Sequence, residues 1–193
     1  MPKMEDLEKV EVISVKELRQ WFEANHKQTE SIWLVTYKKS VPAKYVSIQE
    51  VLDEVLCFGW MDGRRMKLDS DRTMQLLSPR KTEHWSKTYK DRVAKLTQTG
   101  RMHEAGLKVV EAAKQNGAWD FLNDVDALIK PDDLVAALEQ HPPALSNYEA
   151  FPDSAKRDIL RWIKLAKKPE TRANRIQKTA VLAAQNQRAS GTR

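Results

Sequence analysis

The chain of 193 residues contains one cysteine, six glycines and four histidines, and each shortage removes a class of explanation. A single thiol excludes an intrachain disulfide. His26, His84, His103 and His141, with Cys57, offer no zinc-ligand spacing, so no metal site is expected. No segment approaches the roughly 18 unbroken apolar residues that span a bilayer. The opening "MPKMEDLEKVEVISV" is charged where a signal peptide would be apolar, and a cytoplasmic protein is expected. Missing as well are G-x-S-x-G, H-E-x-x-H, a P-loop and the dinucleotide glycine pattern. Hydrolase, kinase and dehydrogenase readings therefore have no anchor. No catalytic residue is assigned, no cofactor is expected, and enzymatic activity stays open, with a non-enzymatic protein favoured.

Charge is present but uneven. The net +6 is concentrated at one end, because residues 152–193 hold 11 Lys+Arg against 3 Asp+Glu while residues 1–151 are slightly acidic, 22 against 24. Any argument for an anionic partner drawn from composition belongs to that end.

Hydrophobic spacing and stop signals outline the elements. "SVKELRQWFEANH" begins with a capping Ser14 and spaces Val15, Leu18, Trp21 and Phe22 as one helical face. "SIWLVTYKKS" is a strand of about eight residues. In "SIQEVLDEVLCFGW", Ser47 and Glu50 have capping-box spacing, and Ile48, Val51, Leu52, Val55 and Leu56 form one stripe. Gly59 falls where a left-handed residue would end that helix, and Asp62-Gly63 is expected to turn the chain into "RRMKLD". "RRMKL" and "RTMQLL" flank "DSD" as a hairpin. Ser86 caps a helix to about residue 98 with Tyr89, Val93 and Leu96 inward, and another helix runs from about 103 to Asn116, stopping at Gly117.

Beyond a module boundary near residue 128 the pattern is helical. Pro131 and Pro169 sit at expected first helical positions, Pro142-Pro143 breaks the chain, and "QRASGTR" is expected to fray. Ile159, Trp162, Ile163 and Ala166 form a stripe there. The fold class expected is α+β: a small antiparallel sheet covered by helices over 1–128, then an all-helical basic module over 129–193.

Several residues invite a functional reading beside a structural one. Cys57 follows Asp53 and Glu54 at the negative end of its helix, off the apolar stripe, and is expected to be an inert thiol. Asp62 has Arg64, Arg65 and Arg80 as candidate partners; either it bonds backbone in a turn, or it joins Trp60, Arg80, Trp85 and Ser86 in a pocket for a small anionic ligand. The amides after Ser86 would lie at a helix N-terminus, with Arg80 and Lys81 arriving from the preceding loop. Tryptophans 21, 33, 119 and 162 lie in apolar patterns and are expected in the core. At the C-terminal end Lys156, Arg157, Arg161, Lys164, Lys168, Arg172 and Arg175 form either a solvated basic face or a surface for a polyanion such as nucleic acid.

"WLVTYKKS", "LCFGWMDGRR", "SPRKTEHWSK", "GRMHEAGLKVVEAAKQNGAW" and "AKKPETRANRI", in that order, resemble the YdeI/OmpD-associated family, also described as bacteriocin-protection proteins. The resemblance runs from about residue 31 to 187, and the last element is similar to a C-terminal module that the family joins to different N-terminal domains. It implies a role in tolerance to antimicrobial peptides or envelope stress through a binding surface, without established catalysis. Small-ligand binding in the tryptophan and arginine pocket is the main rival, and nucleic-acid binding by the basic helices the third reading.

Overall fold

The computed structural model describes residues 6–81 and 84–189, and the chain divides into two compact units between Asp120 and Phe121. The fold is α+β, a four-stranded sheet with helices followed by further helices. In the first unit the order is β1 (Lys9–Glu11), α1 (Val15–Asn25), β2 (Ile32–Tyr37), α2 (Ile48–Cys57), β3 (Trp60–Lys67), β4 (Arg72–Pro79), α3 (Lys87–Gln98) and α4 (Glu104–Gln115). The sheet order is β1-β2-β4-β3. β2, β4 and β3 are antiparallel, as the patterning predicts, and β1 adds a short parallel edge strand through the register Lys9↔Trp33.

The helix starts follow local chemistry. Ser14 accepts from the Glu17 amide, and Ser47 and Glu50 complete a reciprocal capping box. Gly59, at φ +73°, reverses the chain after α2 without the cost a side chain would bring. Burial then selects the inward faces. Ile32, Leu34 and Leu77 point from the sheet into a core shared with Leu18, Phe22, Val51, Val55 and Leu56. Each such side chain contributes about 1.5–3 kcal/mol of transfer free energy.

Three expectations need correction here. Ile48, assigned to the apolar stripe of α2, is 47% exposed, whereas Cys57 on the opposite side is fully buried. The reason is α4, which covers that side: a Cβ on Gly106 would meet Leu56 O at 2.7 Å. Asp62-Gly63 is no turn but lies within β3, where the register slips between Asp62 and Arg65, so that Gly63 and Arg64 oppose Leu76 alone as a β-bulge. Trp21 and Trp119 pack against the core from its edge instead of filling it, while Trp33 is buried.

The second unit consists of α5 (Asn123–Asp126), α6 (Asp132–Glu139), α7 (Ala144–Ala150), α8 (Asp153–Lys164) and α9 (Pro169–Ala184). Leu134, Leu138, Tyr148, Ile159, Ile163 and Ile176 form its core, and Ala180 and Ala183 allow α9 to approach its neighbours closely. Pro169 occupies the first turn as expected, but Pro131 is the N-cap of α6, one position earlier. On α8, Leu160 takes the buried place given to Trp162, which is only half-buried. Within the tail, Ala189 is buried in this core, and residues 190–193 lie outside the described residues.

Candidate functional site

The candidates named from the sequence fall on two neighbouring hollows and the sheet beside them. Trp60 opens β3 at 1% exposure, and its Nε1 donates to the His26 carbonyl at 3.0 Å. Arg80 follows β4; its amide bonds Gly59 O at 3.0 Å, and its guanidinium stacks 3.8 Å from the Trp85 ring and 5.4 Å from Tyr89. Trp85 is itself 2% exposed, so Arg80 covers it from the solvent side. Asp62 takes neither Arg64, Arg65 nor Arg80 as an ion pair among the described residues. It accepts from Tyr89 Oη at 2.7 Å and Gln75 Nε2 at 3.4 Å, because its pairing opposite the buried Leu77 puts it on the inner face of β3. Ser86 is the N-cap of α3 with extended backbone, but its hydroxyl bonds none of the first-turn amides.

A cleft of about 670 Å3 gathers Trp60 and Arg80 with residues that the sequence pattern does not single out: His26, Lys27, Phe58, His103, Glu104 and Lys108. Its volume suits a small ligand. A smaller hollow of about 220 Å3 shares Arg80 with it and is also lined by Lys81 and Trp85, and neither hollow is lined by Asp62 or Ser86. Arg80 is thus the one sequence-named residue on both.

The cleft is built where the C-terminal end of α1, the Phe58-Gly59 reversal and the N-terminal end of α4 meet. Gly106 lets α4 lie directly on the last carbonyls of α2, and the His103 amide donates to Cys57 O at 3.1 Å. Phe58 stacks on His103 at 4.7 Å and on Phe22 at 5.2 Å, giving an aromatic floor. The Arg19 guanidinium lies 5.2 Å from the Phe58 ring centroid and bonds Glu54 at 3.0 Å, while Arg101 holds the other Glu54 oxygen at 2.7 Å. Glu54 is 1% exposed, so this doubly paired carboxylate fixes the floor from below.

Hydrogen bonding sets the two imidazoles in different tautomers. His26 Nδ1 is 2.9 Å from the Phe22 carbonyl, which only accepts, so Nδ1 carries a proton. His103 Nδ1 accepts from the Ala105 amide at 3.1 Å as the N-cap of α4, so its proton is on Nε2. The rings are 4.8 Å apart. Burial, then His26 and Arg19, push the His103 pKa below the ordinary imidazole value. In the neutral pair, His26 Nε2 is an acceptor and His103 Nε2 a donor, and neither has a hydrogen-bond partner among the described residues. Residues so far apart in sequence give no spacing signal, and neither the scarcity of histidine nor the position of His103 before a helix is specific enough to single them out.

Cys57 is fully buried; burial first, then Glu54, push its thiol up to about 11. Helix position and acidic neighbours predict that direction, but burial is the larger cause. No group of three His, Cys, Asp or Glu among the described residues could hold a metal ion, and no helix there is long and apolar enough to cross a membrane.

The basic residues of the second unit are largely engaged within it. Lys164 pairs with Asp124 at 2.6 Å, Arg172 takes Asp133 with two nitrogens at 2.9 and 2.8 Å, and Lys156 and Arg157 reach Asp153. Arg175 and Lys178 lie over Trp162, and Arg175 also donates to the Trp162 carbonyl. Lys168, at the N-cap of α9, and Arg161 have no ion pair among the described residues. Over residues 121–193 the count is 12 Lys+Arg against 9 Asp+Glu, because acidic α5 and α6 belong to the same unit as the basic helices.

Comparison with known families follows these two regions. The chain belongs to the family described as Domain of unknown function (DUF8412), whose model matches residues 10–109, more than half of its length. Residues 127–186 match the family described as Bacteriocin-protection, YdeI or OmpD-Associated, as the resemblance of "AKKPETRANRI" implies. No curated protein and no solved structure matches the chain.

Proposed function

We propose that the first unit binds a small anionic molecule in the cleft between His26, Arg80 and His103, and that this binding serves a protein acting in the cytoplasm in tolerance to antimicrobial peptides or envelope stress. The observation that carries the binding reading is the convergence of Lys27, Arg80, Lys108 and two imidazoles on one cleft with an aromatic floor. Glu104 is the opposing charge, and it is engaged by Lys108 at 2.6 Å. The family match of the second unit supports the stress-related part. A buried, reduced Cys57 suits the cytoplasm. No reaction is assigned.

The test is a titration of the full-length protein with inorganic sulfate and with phosphate, followed by tryptophan fluorescence and amide shifts. Saturable changes at residues 26–28, 80 and 103–108 that weaken at least tenfold in Arg80→Ala support the reading. An unresponsive wild type at tens of millimolar anion removes it. Changes centred on residues 86–89 would place the anion instead at the start of α3.

A further inference from the structure

The two fixed tautomers bear on how an anion enters this cleft. A fully ionised oxyanion only accepts hydrogen bonds. It complements His103 Nε2–H but meets the lone pair of His26 Nε2. The two rings can answer this only in different ways. His26 already donates through Nδ1 to the Phe22 carbonyl, a bond that an added proton at Nε2 strengthens. His103 uses its Nδ1 lone pair to cap α4 through the Ala105 amide, so a second proton there would break the cap and set two N–H groups against each other.

We infer that anion binding in this cleft is coupled to uptake of one proton by His26, with His103 remaining the neutral donor, and that the ligand class is a doubly charged oxyanion such as inorganic sulfate or a phosphate monoester. The inference rests on the anion-binding reading above and adds its proton linkage. The proton comes from solvent, an N–H bond forms at His26 Nε2, and no other covalent change occurs. The surrounding charged groups are Arg19 and Glu23 of α1, Lys27 after it, Arg80 after β4, and Glu104 and Lys108 of α4. Glu104 is held below the usual carboxylate range by its bond to Lys108, so it stays ionised near neutrality. Of the side-chain types lining the cleft, imidazole is the one whose chemistry allows it to take up a proton near neutrality.

Inorganic sulfate is the probe, because it does not itself titrate near neutrality. Calorimetry of full-length protein at fixed pH in buffers of different ionisation enthalpy reads the protons taken up per sulfate bound. The expected uptake approaches one as pH rises from about 6 to 8, with affinity falling up to about tenfold per pH unit at the upper end. His26→Gln should bind sulfate more weakly, with no uptake and no pH dependence in that range. His103→Asn, whose side chain also caps a helix, should bind more weakly but keep the uptake. Sulfate binding without proton uptake in the wild type, or uptake that survives His26→Gln, overturns the linkage while leaving the anion site standing. Absence of sulfate binding even at pH 6 overturns both.

Discussion

Gly106→Ala is the sharpest perturbation of the cleft's foundation. In an ordinary helix interior this exchange raises stability by about 1 kcal/mol through backbone entropy. Here the new Cβ would press on the last turn of α2, with Leu56 O at 2.7 Å and the Cys57 carbonyl carbon at 2.8 Å, and the obstructing atoms are backbone that cannot rotate away. Overpacking of that kind costs about 1–3 kcal/mol, and fixed backbone places this case at the upper end, so a net loss of about 1–2 kcal/mol is expected. For a unit of this size that is a fall of roughly 4–8 °C in Tm. Relief requires α4 to move away from α2, carrying His103, Glu104 and Lys108 with it, so sulfate affinity should fall as well. Gly100→Ala is the control: at φ +67° no atom of the described residues lies within 4 Å of the new Cβ, so only left-handed strain of about 1 kcal/mol applies and sulfate affinity is unchanged. Thermal unfolding followed by tryptophan fluorescence, with sulfate titration of both variants, decides the matter. A Gly106→Ala protein more stable than wild type would refute the close approach of the two helices.

Cys57 should label with a thiol reagent at neutral pH far more slowly than free cysteine, since its thiol is buried and pushed up to about 11; rapid labelling of folded protein contradicts this. Tyr148→Phe should hold or raise stability by up to about 1 kcal/mol in chemical denaturation, because its buried hydroxyl has no hydrogen-bond partner among the described residues, and a loss of stability would reveal one. Arg172 holds the Asp133 carboxyl below the usual range. The pair therefore contributes stability present above the unfolded carboxylate value of about 3.9 and lost as pH falls through the lower folded one. Arg172→Met should remove about 0.3 kcal/mol of that at neutral pH, since the pair is half exposed; no change in the acid limb of the denaturation profile would count against the pair. If Arg161 and Lys168, with the exposed Lys167 that precedes Lys168 and likewise has no ion pair among the described residues, form a polyanion surface, heparin should retain the protein at about 50 mM salt and release it by about 200 mM. Lys167→Glu with Lys168→Glu should abolish that retention, and no wild-type retention at all leaves the basic face solvated.

What the sequence revealed and what it concealed divide by the range of the interaction. Ser47, Glu50 and Gly59 are legible because a cap or a left-handed residue acts on backbone within four positions. The apolar stripe of α2 does not predict the exposure of Ile48, because a stripe marks one face only, whereas the sheet lies on one side of this helix and α4 on another, which buries Cys57. Asp62-Gly63 has the composition of a turn, but only pairing with Leu76 and Leu77 makes it a bulge. The basic C-terminal run looked unbalanced because its counter-charges, Asp124 and Asp133, precede the chosen window and return only through folding.

The candidate site shows the same division most clearly. Arg80 and Trp60 could be named because aromatic and cationic residues near a strand end are conspicuous. His26 and His103 could not, since each does an unremarkable local job, one bonding the carbonyl four residues back and the other capping a helix. Their local jobs nevertheless decide their chemistry, by fixing which nitrogen holds the proton. Phe58 then brings the two rings together, stacked on one and 5.7 Å from the other. A donor and an acceptor 4.8 Å apart at the ring centres are therefore a product of tertiary packing acting on two tautomers already set by secondary structure.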